Sequence, residues 1–248
     1  MYKFLQILKR DFLNLVLNPM WSFFSIAFPF LLVLILGFLN SGAYGSEVTS
    51  YDYYGITIMI YMIFMSSCLS ANSFMEERIK KGNMRLIYAP LPKSYIYISK
   101  IVAAFSYSAI CDLLLILTLK VVLNINFGGN NIIYIILLLI IFQILASILG
   151  VLLCIIFKSE NTANQVLNIF INVFAILGGL FFRVDSLGSV VEKTSYISPI
   201  KWIVSSVFRV IYDRDFTYYI PTISFLIFLC VLGLIMCKRL YKGEDYIC

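Results

Sequence analysis

The 248-residue chain contains no histidine. That removes imidazole acid–base catalysis, serine–histidine and cysteine–histidine nucleophile pairs, and most zinc sites. No G-x-S-x-G elbow supports a serine hydrolase, and no G-x-x-x-x-G-K-[ST] loop offers a nucleotide cradle. Six cysteines are present, but none has metal-ligand spacing, so no metal is expected. Cys68, Cys111, Cys154, Cys230 and Cys237 lie in apolar stretches and read as small hydrophobic filler. Cys248 has no residues after it to complete a prenylation box. Charge is scarce too: Asp, Glu, Lys and Arg make up 13% of the chain, against about 25% in globular proteins.

What is present is apolar. Hydrophobic residues make up 61%, and the mean hydropathy is +0.94. A soluble fold of this length would have to hide more apolar surface than its interior can hold, so the bilayer is the natural solvent. Residues 12–46, 53–75, 121–157, 161–182 and 216–237 contain no Asp, Glu, Lys or Arg. A spanning helix needs roughly 20 apolar residues at about 1.5 Å of rise each. Six spans are expected, at 21–40, 53–74, 95–122, 131–156, 162–182 and 217–237. The fold class is therefore an all-α polytopic membrane protein, one transmembrane domain over residues 1–248.

The basic residues divide unevenly between the two sides of such a layout, thirteen against six. By the positive-inside rule both termini lie in the cytoplasm. The net charge of +6 then reflects topology, and no nucleic acid is expected as a partner. Trp21, Tyr95, Tyr97 and Tyr241 mark the inner interface, and Tyr51, Tyr53, Tyr54, Tyr134, Tyr218 and Tyr219 the outer one.

Within residues 1–18, Phe4, Leu5, Leu8, Phe12, Leu15 and Val16 recur at helical spacing, which suits a helix lying in the inner membrane surface. Asn18-Pro19 breaks it before the first span.

A few polar residues enter the membrane. Asn161, Asn164, Gln165, Asn168 and Asn172 form a stripe within roughly a 100° arc of span five. Carboxamides facing lipid are costly, so the stripe faces protein or water. It is either a conduit wall or dimer interface, or packing within one subunit. Asp112 is the carboxylate well inside a span, a functional group or a structural one. In the external segment 183–215, Ile203, Val204, Val207, Phe208 and Ile211 share one side of a helix that Ser198-Pro199 can start. A short re-entrant helix dipping into the outer leaflet fits best, with a plain solvated loop as the alternative.

The densest charge lies in "EERIKKGNMRLIYAPLPKSY", residues 76–95. Glu76 and Glu77 precede Lys80 and Lys81 by four residues, the favourable orientation for helical ion pairs. Gly82-Asn83 interrupts that helix, and Asn83 can cap a new one that ends before Pro90 and Pro92. Met84, Ile87 and Tyr88 then project as an apolar knob, suited either to a partner's groove or to the membrane surface.

At these residues the chain resembles the membrane permeases of ABC-2-type transporters. That family has a Glu-Arg-rich start after span two, then Gly-Thr-Leu, a short apolar helix and a proline; here Asn83-Met84 stands where Thr-Leu is commoner. A second block resembles the family's Gly-Gly-x-Phe followed by Pro-x-x-Trp, here Gly178, Gly179, Phe181, Pro199 and Trp202.

The resemblance implies that segment 75–94 is a coupling helix on a separate ATPase, with Glu77, Gly82, Met84, Arg85, Leu86, Ile87, Tyr88 and Pro90 at the contact. It implies two ATPase copies that bind ATP and Mg, and a second permease, identical or homologous, in contact with membrane lipids. It implies an external gate at Gly178, Gly179, Phe181, Pro199 and Trp202. The chain itself would carry no cofactor and no catalytic residue. The expectation is an exporter subunit in a bacterial plasma membrane, moving an amphipathic or hydrophobic peptide, drug or lipid. A non-transporting sensor or immunity protein, or a membrane-embedded enzyme, is the alternative.

Overall fold

The computed structural model describes residues 2–45, 48–76, 79, 86, 88, 91–181 and 194–241. Helix is the only regular structure among them, as the sequence requires. α1 covers Tyr2–Val16, α2 Pro19–Leu39, α3 Ser50–Met75, α4 Ser94–Leu123 and α5 Ile132–Phe157. α6 covers Glu160–Gly178, α7 Pro199–Phe208 and α8 Tyr219–Leu240. Five of these helices, α2, α3, α4, α5 (extended back to Gly129) and α8, are long and apolar enough to cross a membrane. The expected span five is the 19-residue α6, whose amides lower its hydropathy and which is not among these five.

α3 is the centre of the bundle, packed against α2, α4, α5 and α6. Its deepest seam is with α5 and is built from small residues. A Cβ at Gly150 would lie 2.0 Å from the Ser67 carbonyl oxygen, so only glycine lets the two backbones approach. Ser70 Oγ donates to the Ser147 carbonyl at 2.8 Å, and Cys154 Sγ donates to that of Ala71. In a bilayer the lipid is as apolar as leucine, so close packing and hydrogen bonds of this kind hold helices together.

The helix ends follow local chemistry. Asn18 caps α2 by accepting from the Met20 N–H at 3.1 Å, with Pro19 in the first turn. A π-turn, Phe23–Ala27, widens α2 just before Pro29. Proline has no N–H for the carbonyl four residues back, here that of Ser25. Thr49 and Asp52 form a capping box at α3. The second Asp52 oxygen accepts from the Asn126 N–H at 2.8 Å, tying the α4–α5 turn to α3.

α1 differs from its sequence pattern in the face it buries. Leu5 and Val16 are exposed, and the face resting on α4 is Ile7, Asp11 and Leu15. A charge lies at the middle of that face because it has a partner: Lys100 Nζ donates to Asp11, and Ser99 Oγ donates to its other oxygen at 3.0 Å. Tyr134 packs against Tyr219, and Tyr53, Tyr54 and Tyr219 are buried within the bundle.

Candidate functional site: a polar groove between α3 and α6

α6 is amphipathic because its apolar face is short. Ala163, Leu167, Ile171, Ala175 and Gly178 are buried against the bundle. The amides lie beside that face and meet a matching row on α3. Asn164 hydrogen-bonds the Asn72 carboxamide. One turn on, the Cys68 thiol points at Asn168 Oδ1 at 4.0 Å, a weak contact. One turn further, Tyr61 OH donates to Asn172 Oδ1 at 3.3 Å, and Asn172 Nδ2 donates to the Asn168 carbonyl at 2.8 Å.

Residues 61, 68 and 72 share one face of α3, so the two antiparallel helices line a groove about two turns long. The row lies at the surface of the bundle. Asn168 and Asn172 are exposed despite these bonds, and Asn161 and Gln165 are exposed outside it. Three of the five expected amides thus meet α3, and two point away. The α3 row was missed in the sequence; its i, i+7, i+11 spacing was the available signal.

At one end of the groove the chain turns sharply. Gly179 has φ +74°, a left-handed conformation that glycine adopts without strain, and caps α6. Tyr53 OH donates to the Gly179 carbonyl, and Tyr54 OH to that of Phe181 at 3.3 Å. The Phe181 ring meets Tyr61 at 5.2 Å. Gly178 lies against α7, where a Cβ would be 2.5 Å from Ile200 Cγ2. The first half of the expected external gate is therefore one cluster with α3.

Pro199 begins α7 as expected, with Ser198 in the cap position donating its hydroxyl to the Phe174 carbonyl at 3.0 Å. Trp202 lies elsewhere, its ring 5.5 Å from Phe225 on α8 and its Nε1 donating to the Tyr196 carbonyl at 2.9 Å. α7 packs on α6 and α8. Of the rest of segment 183–215, residues 183–193 lie outside the described residues.

Glu77, Gly82, Met84, Arg85, Ile87 and Pro90 of the expected docking segment also lie outside the described residues. Leu86 is helical and half-buried, and Tyr88 is exposed. Asp112 lies on α4, with Oδ2 buried and without a hydrogen-bond partner among the described residues. Among the described residues no cluster of His, Cys, Asp and Glu could hold a metal ion.

Residues 2–212 match the family model described as ABC-2 type transporter. No curated protein matches the chain.

Proposed function

The chain belongs to the ABC-2 type transporter family, a multi-pass membrane permease rather than an enzyme, and from that premise we propose that it is the transmembrane half of an ATP-driven exporter. ATP and Mg would bind to two copies of a separate ATPase subunit. Two permeases, identical or homologous, would form the pore, with both termini in the cytoplasm of a bacterial cell. The cargo would be amphipathic or hydrophobic, a peptide, drug or lipid.

The observation that carries this reading is the exposed row of amides and a tyrosine where α6 meets α3. An exposed carboxamide row in a membrane helix costs too much against lipid, so water, cargo or a second permease must face it. Segment 76–95, with its charge pairs and stop signals, would seat on the ATPase and carry the movement of nucleotide binding into α3 and α4. Both helices begin or end at that segment.

Coexpression with the genetically neighbouring ATPase, followed by affinity purification and ATP hydrolysis assays, tests the proposal. Met84→Asp with Ile87→Asp is expected to release the ATPase. A complex that survives both changes would move the docking site, and no ATPase partner at all would overturn the exporter reading.

A further inference from the structure

A cavity of about 450 Å³ lies between α2, α3 and α4, apart from the amide groove except where Tyr61 and Cys68 border both. Its walls differ in character. α2 contributes Trp21, Phe24 and Phe28, which stand on and beside the π-turn, and α3 adds Tyr61. π-turns inside α-helices are frequent at functional sites. Phe24 is 43% exposed, so the rim reaches the outer surface of α2.

The α4 wall is polar. Ser108 and Asp112 line the cavity, and Ser108 Oγ and Asp112 Oδ2 are buried without a hydrogen-bond partner among the described residues. Among the described residues no basic side chain lines it. Behind Asp112 a space of about 30 Å³ is shared with Gln143, whose Oε1 is also unpartnered. One N–H of Gln143 Nε2 donates to Ser66 Oγ at 2.9 Å. Asp112 Oδ2 is thus a carboxyl oxygen with no hydrogen-bond partner among the described residues. Asp112 is also deep in the bundle, about 27 Å along α4 from Ser94 at 1.5 Å per residue.

An ionised carboxylate at such depth costs several kcal/mol unless it is paired. A protonated amine supplies what is missing: a positive charge and up to three N–H donors. Its apolar body would lie against aromatic faces that also favour a cation. The volume falls in the range of small-molecule sites, about 300–1,000 Å³, and is too small for a folded peptide. We propose that this cavity is a binding site for a drug-sized lipophilic amine in its protonated form, held by Asp112 with the aromatic wall of α2 around its apolar body. The site stands on its own geometry; that the amine is cargo rests on the exporter reading.

The test uses the full chain in lipid nanodiscs, with Trp202→Phe leaving Trp21 as the only tryptophan. Energy transfer from Trp21 to dansylcadaverine, a fluorescent primary amine, reports occupancy, and N-hexyl dansylamide is the neutral counterpart. The amine is expected to bind at least about tenfold more tightly than the neutral analogue, and Asp112→Asn to weaken it about 10- to 100-fold. Binding of the neutral analogue should survive that change, which also shows that the variant is folded.

Equal affinity for both probes, or an amine affinity indifferent to Asp112→Asn, would overturn the proposal and leave a cavity for acyl chains. Met65→Tyr narrows the cavity from α3 without adding a tryptophan and decides the matter if Asp112→Asn does not fold; amine binding that persists unchanged there overturns the proposal. Transport is scored separately in the reconstituted complex. An amine held through Asp112 but never moved on ATP addition keeps the site and removes the exporter reading.

Discussion

Lys100, near the start of α4, donates through Nζ to Asp11 on α1, and both side chains are almost fully buried, Lys100 with 1% of its surface exposed. This pair clamps the first helix to the bundle beside Glu76 and Ile79, which border the same small cleft. Anything that moves segment 76–95 therefore moves against a helix that is pinned.

Breaking the clamp from one side should be worse than removing it. Asp11→Asn or Lys100→Met alone leaves an uncompensated buried group, at a cost of about 3–5 kcal/mol. Asp11→Leu with Lys100→Met together is expected to cost less than either single change. Thermal unfolding of the purified variants, read by size exclusion, checks this; strictly additive losses would show that the two do not act as a unit.

The α3–α5 seam predicts a steric failure. Gly150→Val places side-chain atoms on the Ser67 backbone, which cannot rotate away, and should abolish the folded yield in membranes. Gly42→Ala, whose Cβ would meet nothing within 4 Å, is the neutral control. Similar yields for the two would contradict the observed interhelical approach.

The groove predicts a separation of activity from stability. Tyr61→Phe removes one exposed hydrogen bond to Asn172 and should lower stability by no more than about 1.5 kcal/mol. Asn168→Leu with Asn172→Leu should leave the fold intact and lower ATP-dependent transport. A large stability loss with transport per folded molecule unchanged would assign the stripe to packing.

The turn after α6 predicts a conformational penalty. Gly179→Ala must hold an L-residue at φ +74° and should cost about 1–2 kcal/mol. Tyr53→Phe, which deprives the Gly179 carbonyl of its buried donor, should cost a similar amount, about 1–3 kcal/mol. Melting of each variant in detergent tests both figures.

Acid should loosen the turn after α7. The Thr217 hydroxyl and N–H, and then Arg209, hold the Asp215 carboxyl below its ordinary range. A depressed folded-state value gives stability that is present above the unfolded value, about pH 4, and lost as pH falls through the folded one. Asp215→Asn should remove that dependence; limited proteolysis of the turn from pH 6 to acid is the measurement.

Much was legible in the sequence because the bilayer imposes a one-dimensional rule: uncharged stretches long enough to cross must be helices. The spans, the break at Asn18-Pro19, the start of α7 at Pro199 and the amides of α6 all follow from residue type and spacing along the chain. What meets what does not. Asp11 and Lys100 are 89 positions apart and read as two surface charges until α1 is laid on α4. Tyr53 and Tyr54 read as interfacial tyrosines, and the partners of their hydroxyls appear only when the Gly179 turn is brought to them. Tyr61, Cys68 and Asn72 gain a role only opposite α6, and Asp112 a cavity only between three helices. Hydropathy and helical period act along the chain, so the sequence by itself determined the helices and their order. Pairing of buried polar groups acts across it, and only the tertiary structure decided which of them are satisfied and which face open space.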